Sequence, residues 1–181
     1  LSPEFEENQL AMKTASLFRF FVCLLFLVSA STFVAAQQLP LASDNFKQWA
    51  AISHKLETTP FDSQINRDAE VAVHEISQSP DFHTPLCSSF FSFFNKLTAD
   101  GYPYQAQVYR LYTLGSATYR IETGKTDSYG TNLYAFDSIL KGYQAMVQKE
   151  PNARTRTLEE LYVTALKGKL PDYLKKDSTC K

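Results

Sequence analysis

Three observations predict an all-α fold, a single bundle-like domain of five to six amphipathic helices. Apolar residues recur three or four apart through successive windows of the chain. Those windows are separated by Thr-Thr-Pro, Ser-Pro, Asp-Gly and Pro-Asn, combinations that end helices or start turns. Period-two alternation is confined to Tyr119-Arg120-Ile121-Glu122-Thr123, and a lone strand has no partner.

Each element follows from local chemistry. Ser43 or Asp44 caps a first helix with Phe46, Trp49, Ser53 and Leu56 on one face, and Thr58-Thr59-Pro60 stops it. Asp62 or Ser63 opens a second, with Ile65, Ala69, Ala72 or Val73, and Ile76 at helical spacing, up to Ser79-Pro80. Thr84-Pro85 predicts the third start, a cap followed by proline at the first helical position, and Asp100-Gly101 turns the chain afterwards. A fourth helix runs from about Tyr104 to Glu122, with Gly124 as its terminator. A linker of residues 125–130 precedes a fifth, which carries Leu133, Phe136, Leu140, Tyr143 and Val147 up to Pro151-Asn152. Thr157 and Glu160 read as a capping box for a sixth, closed by Gly168. A final turn spans residues 171–176.

The N-terminal region predicts the compartment. Met12 opens a short basic stretch (Lys13, Arg19), residues 20–28 are apolar, and Val34-Ala35-Ala36 places cleavage before Gln37. Residues 12–36 therefore read as a secretory signal peptide, and residues 1–11 as leader or cloning residues. A membrane anchor is the competing reading, since residues 20–36 approach a spanning length. Ser29, Ser31 and Thr32 favour cleavage. The expected product is a secreted, extracellular domain of residues 37–181, with no stable membrane anchor once cleavage has occurred.

With Cys23 in the signal segment, Cys87 and Cys180 are the remaining thiols, and an oxidising compartment predicts a disulfide between them. Closing a loop of roughly 90 residues stabilises by about 4–5 kcal/mol in the chain-entropy model. An intermolecular bridge is the alternative. The formal net charge is −1, so a nucleic-acid partner is not expected. Lys167, Lys169, Lys175 and Lys176 form the densest basic stretch and read as a helix C-terminal cluster with a solvated tail.

No motif predicts catalysis, a metal or a cofactor. His74-Glu75 lacks the histidine four residues on that a zinc helix needs, since position 78 is Gln78. His54, His74 and His83 read as neutral rim histidines. There is no Gly-x-Ser-x-Gly elbow, and Gly124-Lys125-Thr126 lacks the upstream glycine of a phosphate loop, Tyr119 standing there instead. Glu159-Glu160 suits a helix N-terminus.

The unusual feature is Phe90-Phe91-Ser92-Phe93-Phe94. Phe90, Phe93 and Phe94 share one helix face while Phe91 points away, so the apolar surface is broader than a stripe. Every tyrosine lies at or beyond Tyr102. The plain reading is a central helix with a tyrosine rim. The sharper one is a pocket for a fatty acid or sterol, lined by Phe90, Phe93, Phe94, Tyr109, Tyr112 and Tyr119. The expected function is that of a secreted, non-catalytic carrier of a small apolar ligand. Its alternative is an extracellular interaction or effector protein without a small ligand.

Overall fold

Helix boundaries fall close to where the capping residues put them. The computed structural model describes residues 44–82 and 86–180. The leader, the signal segment, Ser43, His83 and the Thr84-Pro85 start lie outside the described residues. The described helices belong to one unit, Leu39–Lys181. They are α1 (Asp44–Thr58), α2 (Ser63–Gln78), α3 (Ser88–Ala99), α4 (Gln105–Thr123), α5 (Ser128–Lys149), α6 (Arg156–Leu166) and α7 (Leu170–Lys175). Short 3-10 turns follow at Pro151–Ala153 and Ser178–Cys180. Among the described residues there is no strand, and residues 119–123 complete α4. None of these helices is long and apolar enough to cross a membrane.

The caps at Asp62 and Gly124 act as the sequence predicts, whereas Asp127 opens a helix inside residues 125–130, which the sequence reads as a linker. The Asp62 carboxylate accepts from Gln64 N and Ile65 N, both at 2.9 Å. Asp127 accepts from Gly130 N at 2.6 Å to open α5. Gly124 ends α4 at φ 69°, a left-handed conformation that a Cβ disfavours.

Two further starts differ from the sequence reading. The capping box does not form at α6, whose N-cap is Thr155 and has no side-chain cap bond. Thr157 Oγ1 donates instead to Asp100 Oδ2 at 2.9 Å, and Glu160 is held by Arg156 Nε at 2.8 Å. A carboxylate from the turn between α3 and α4 and an i,i+4 cation outcompete the local box.

The second difference concerns α3, which begins at Ser88, after Cys87 in extended conformation without a side-chain cap. Its cap comes from the far end of the chain. Ser88 N donates to Thr179 Oγ1 at 2.8 Å, and Ser89 N to Asp177 Oδ2 at 2.5 Å. Ser88 Oγ also donates to Asp177 Oδ1 at 2.8 Å. The expected Cys87–Cys180 disulfide, across 93 sequence positions, fastens the same two segments. Burial raises the Asp177 carboxyl, but the Thr179, Ser89 and Ser88 hydrogen bonds outweigh it and hold the group well below the usual carboxylate range.

The core forms around α4 and α5, which approach closely because small residues face each other. A Cβ on Gly115 would stand 2.8 Å from Ser138 Cβ and 3.1 Å from Ala135 Cα. Helix α1 packs over both, α2 flanks α1 and α4, and α6 and α7 cover α5. Helix α3 lies against α4, α6 and the terminal turn. Leu56, Leu111, Leu114, Phe136, Ile139, Met146 and Leu158 are fully buried between them, each such side chain contributing about 1.5–3 kcal/mol.

Candidate functional site

The six residues singled out from the sequence divide into three places. Phe90 is buried and lies flat on the buried Tyr112 of α4, ring centroids 3.7 Å apart and planes 20° apart. Phe136 of α5 meets this pair edge-on, 6.5 Å from Phe90 and 5.9 Å from Tyr112. The Tyr112 hydroxyl donates to Asn132 Oδ1 inside the core, and burial pushes its phenol far above the ordinary tyrosine value. These rings occupy one another's space.

Phe94, partly buried, carries the cluster outward, stacking 5.6 Å from Phe90 and meeting Tyr109 edge-on at 6.2 Å. Tyr109 is 44% exposed and Phe91 is 51% exposed. Phe91 also meets Phe90 edge-on at 6.1 Å. Phe91 and Tyr109 are thus the solvent-facing ends of a ring system rooted in the core. Asn95, one turn on from Phe91, and Ala106, one turn before Tyr109, are exposed and uncharged. The sequence signal for this face is the off-stripe position of Phe91.

Phe93 packs edge-on against Phe136 at 5.6 Å and borders a groove with Lys96, Leu161, Thr164 and Tyr173. Tyr119 is remote from both groups, at the far end of α4. Its hydroxyl donates to Asp127 Oδ2 at 2.6 Å, which raises the phenol and lowers the carboxyl. The structure brings together Phe90, Phe94, Tyr109 and Tyr112, sets Phe93 beside Phe90 on the shared Phe136 ring but turned towards the groove, and places Tyr119 elsewhere.

A polar seam joins α1, α4 and α5. The Glu57 carboxylate is buried and accepts from Ser138 Oγ at 2.5 Å. His54 Nδ1 lies 3.5 Å from Glu57 Oε2, and its Nε2 lies 2.7 Å from Glu122 Oε1. Tyr134 donates to Glu122 Oε2 at 2.8 Å. Lys141 Nζ sits 2.9 Å from Asp137 Oδ2 and 3.8 Å from Glu57 Oε2. His54 thus stands at the rim with a carboxylate facing each ring nitrogen. The Glu122 hydrogen bond raises its imidazole above the ordinary value; burial opposes this, and Glu57 adds to the rise. Glu122 is pushed up by burial, yet the His54 and Tyr134 bonds leave it below its ordinary value. The chemistry available here is proton exchange at a half-exposed imidazole. Ser138 is bonded to a carboxylate and fully buried, so its hydroxyl faces neither an imidazole nor solvent.

Among the described residues, the grouping of His, Cys, Asp or Glu with metal-compatible spacing is Cys87, Asp177 and Cys180. Its sulfurs are consumed in the disulfide and its carboxylate in the α3 cap. No protein-family model, curated protein or solved structure matches the chain.

Proposed function

We propose that this is a secreted, non-catalytic interaction protein that meets an extracellular protein partner through the face formed by Phe91, Phe94 and Tyr109. The carrying observation is that Phe91 and Tyr109 stand half in solvent while their neighbours Phe90 and Tyr112 are held rigidly in the core. Exposed aromatics rooted in the core, with the uncharged Asn95 and Ala106 one helical turn away, match the centres of protein interfaces, where charge is depleted and aromatic anchors dominate binding. Four of the six rings first read as a ligand pocket, Phe90, Phe94, Tyr109 and Tyr112, contact one another, which favours contact at the outer face over carriage between those helices. Secretion is supported by the signal-like residues 12–36 and by the paired cysteines.

Site-specific photocrosslinking tests the proposal. Benzoylphenylalanine replaces Phe91 or, as a control, the exposed Val71 of α2, in protein kept in the extracellular fluid of the producing cells. The expected result is one discrete light-dependent adduct from position 91, lost on adding Tyr109→Ser at unchanged helix content. No adduct from position 91, or the same adduct from position 71, overturns the proposal.

A further inference from the structure

Another side of α3 carries a second feature with different chemistry. Two hollows, of about 150 Å³ and about 670 Å³, meet at Thr164 and Tyr173, the residues common to their walls. The smaller is lined by Phe93 and Leu161 together with Thr157 and Glu160. The larger opens between α6 and α7 and is rimmed by Lys169, Lys175 and Lys176. Lys96 adds a further ammonium to the smaller hollow.

The charge balance of this groove is unusual for a chain of net charge −1. Among the described residues, Lys96, Lys169, Lys175 and Lys176 have no ion-pair partner. Lys175 Nζ lies 5.8 Å from the Tyr129 ring, a contact that leaves its charge uncompensated. Of the carboxylates on the same walls, Glu160 is already held by Arg156 Nε at 2.8 Å, leaving Asp172 as the acidic group without an ion pair. Nearby Asp177 is engaged in capping α3. Phe93 and Leu161 at one end, and three uncompensated ammonium groups round the other, offer contacts to a hydrocarbon tail and an anionic head.

We propose that the groove between α3, α6 and α7 is a binding site for a single-chain anionic amphiphile of the fatty-acid class. The head lies among Lys169, Lys175 and Lys176, and the tail runs past Tyr173 towards Phe93 and Leu161. A bare polyanion would use the lysines and ignore Phe93 and Leu161; a neutral lipid would do the reverse. The site is independent of the Phe91 face, so the two proposals stand or fall separately.

Isothermal titration of the disulfide-bonded protein with dodecanoate, below its micelle concentration, tests this. One saturable site is expected, with binding tightening severalfold for each two-carbon extension from octanoate to dodecanoate. Lys175→Glu/Lys176→Glu, on exposed side chains, is expected to weaken dodecanoate at least tenfold at unchanged helix content, whereas Phe91→Ser leaves it unchanged. Three results overturn the proposal. They are a sulfated polysaccharide binding while dodecanoate does not, dodecanol matching dodecanoate with no effect of the lysine substitutions, and non-saturable uptake of several chains per protein.

Discussion

Asp177→Ala tests the remote cap of α3 most directly. The wild-type carboxylate receives Ser89 N at 2.5 Å, Ser88 Oγ at 2.8 Å, Thr179 N at 2.9 Å and Thr179 Oγ1 at 2.7 Å. Ser88 Oγ and both Thr179 donors are exposed and turn to water when the acceptor goes. The partly buried Ser89 N–H loses the most. Removing an N-cap acceptor costs about 0.5–2 kcal/mol, and losing a negative charge at a helix N-terminus about 0.3–1 kcal/mol more. The expected loss is therefore ~2 kcal/mol, or a fall in Tm of about 4–8 °C for a domain of this size. Asp177→Asn keeps an acceptor and is expected to cost about half as much. The pH dependence supplies a second check. A carboxyl whose folded value is depressed contributes stability that is complete above its unfolded value of about 4 and lost as pH falls through the folded one. Urea unfolding from pH 7 down to pH 3 should show the gap between wild type and Asp177→Asn closing only below about pH 4. A cost under about 0.3 kcal/mol for Asp177→Ala, or a gap unchanged in acid, would refute the cap.

Three further outcomes follow from the packing. His54 is raised chiefly by its bond to Glu122, so its contribution is complete below about pH 6.5 and fades as pH rises through the raised value. The stability advantage of wild type over His54→Gln should be larger at pH 5.5 than at pH 8.5, by a few tenths of a kcal/mol for so exposed a pair; an imidazole NMR midpoint below 6.5 contradicts this. Gly115→Ala places a methyl 2.7 Å from Ser138 Oγ and 3.1 Å from Ala135 Cα, with an expected cost of about 1–3 kcal/mol by calorimetry. A neutral result would mean that α4 and α5 stand further apart. Cys87→Ser/Cys180→Ser opens the loop of 93 positions and should lower stability by about 2–4 kcal/mol in denaturant titration. Peptide mapping that finds both wild-type thiols free would remove the basis for that loss.

Local signals were readable, and signals from distant residues were not. Asp62 and Gly124 act within three residues of the helix ends they close, so their roles follow from sequence order. The start of α3 depends on Asp177 and Thr179, some ninety positions away, and only the Cys87–Cys180 pairing hinted that these segments meet. The Thr157 and Glu160 pattern misled for the same reason: Asp100 reaches Thr157 from another part of the chain. At the candidate site, helical periodicity located the phenylalanine faces of α3. It could not show that Tyr112 fills the space against Phe90, or that Tyr119 lies at the other end of α4. The seam of His54, Glu57 and Glu122 left no pattern, because its members come from three helices.

Both proposed binding surfaces depend on how α3 is held. One side carries Phe91 and, through Phe94, the contact with Tyr109; another places Phe93 in the groove; Phe90 fixes the rotation between them by lying on Tyr112. A twelve-residue helix with a single charged side chain, Lys96, has little to secure its own ends. Isolated helices of that length are marginal in water. The clasp formed by Cys180, Thr179 and Asp177 supplies what the local sequence lacks, and it also carries Tyr173, Lys175 and Lys176, which line the groove. Loosening the clasp should therefore weaken the groove more than the outer face. The groove loses a wall when the C-terminal segment moves, whereas Phe91 and Tyr109 remain tied to α4 through Phe90 and Phe94.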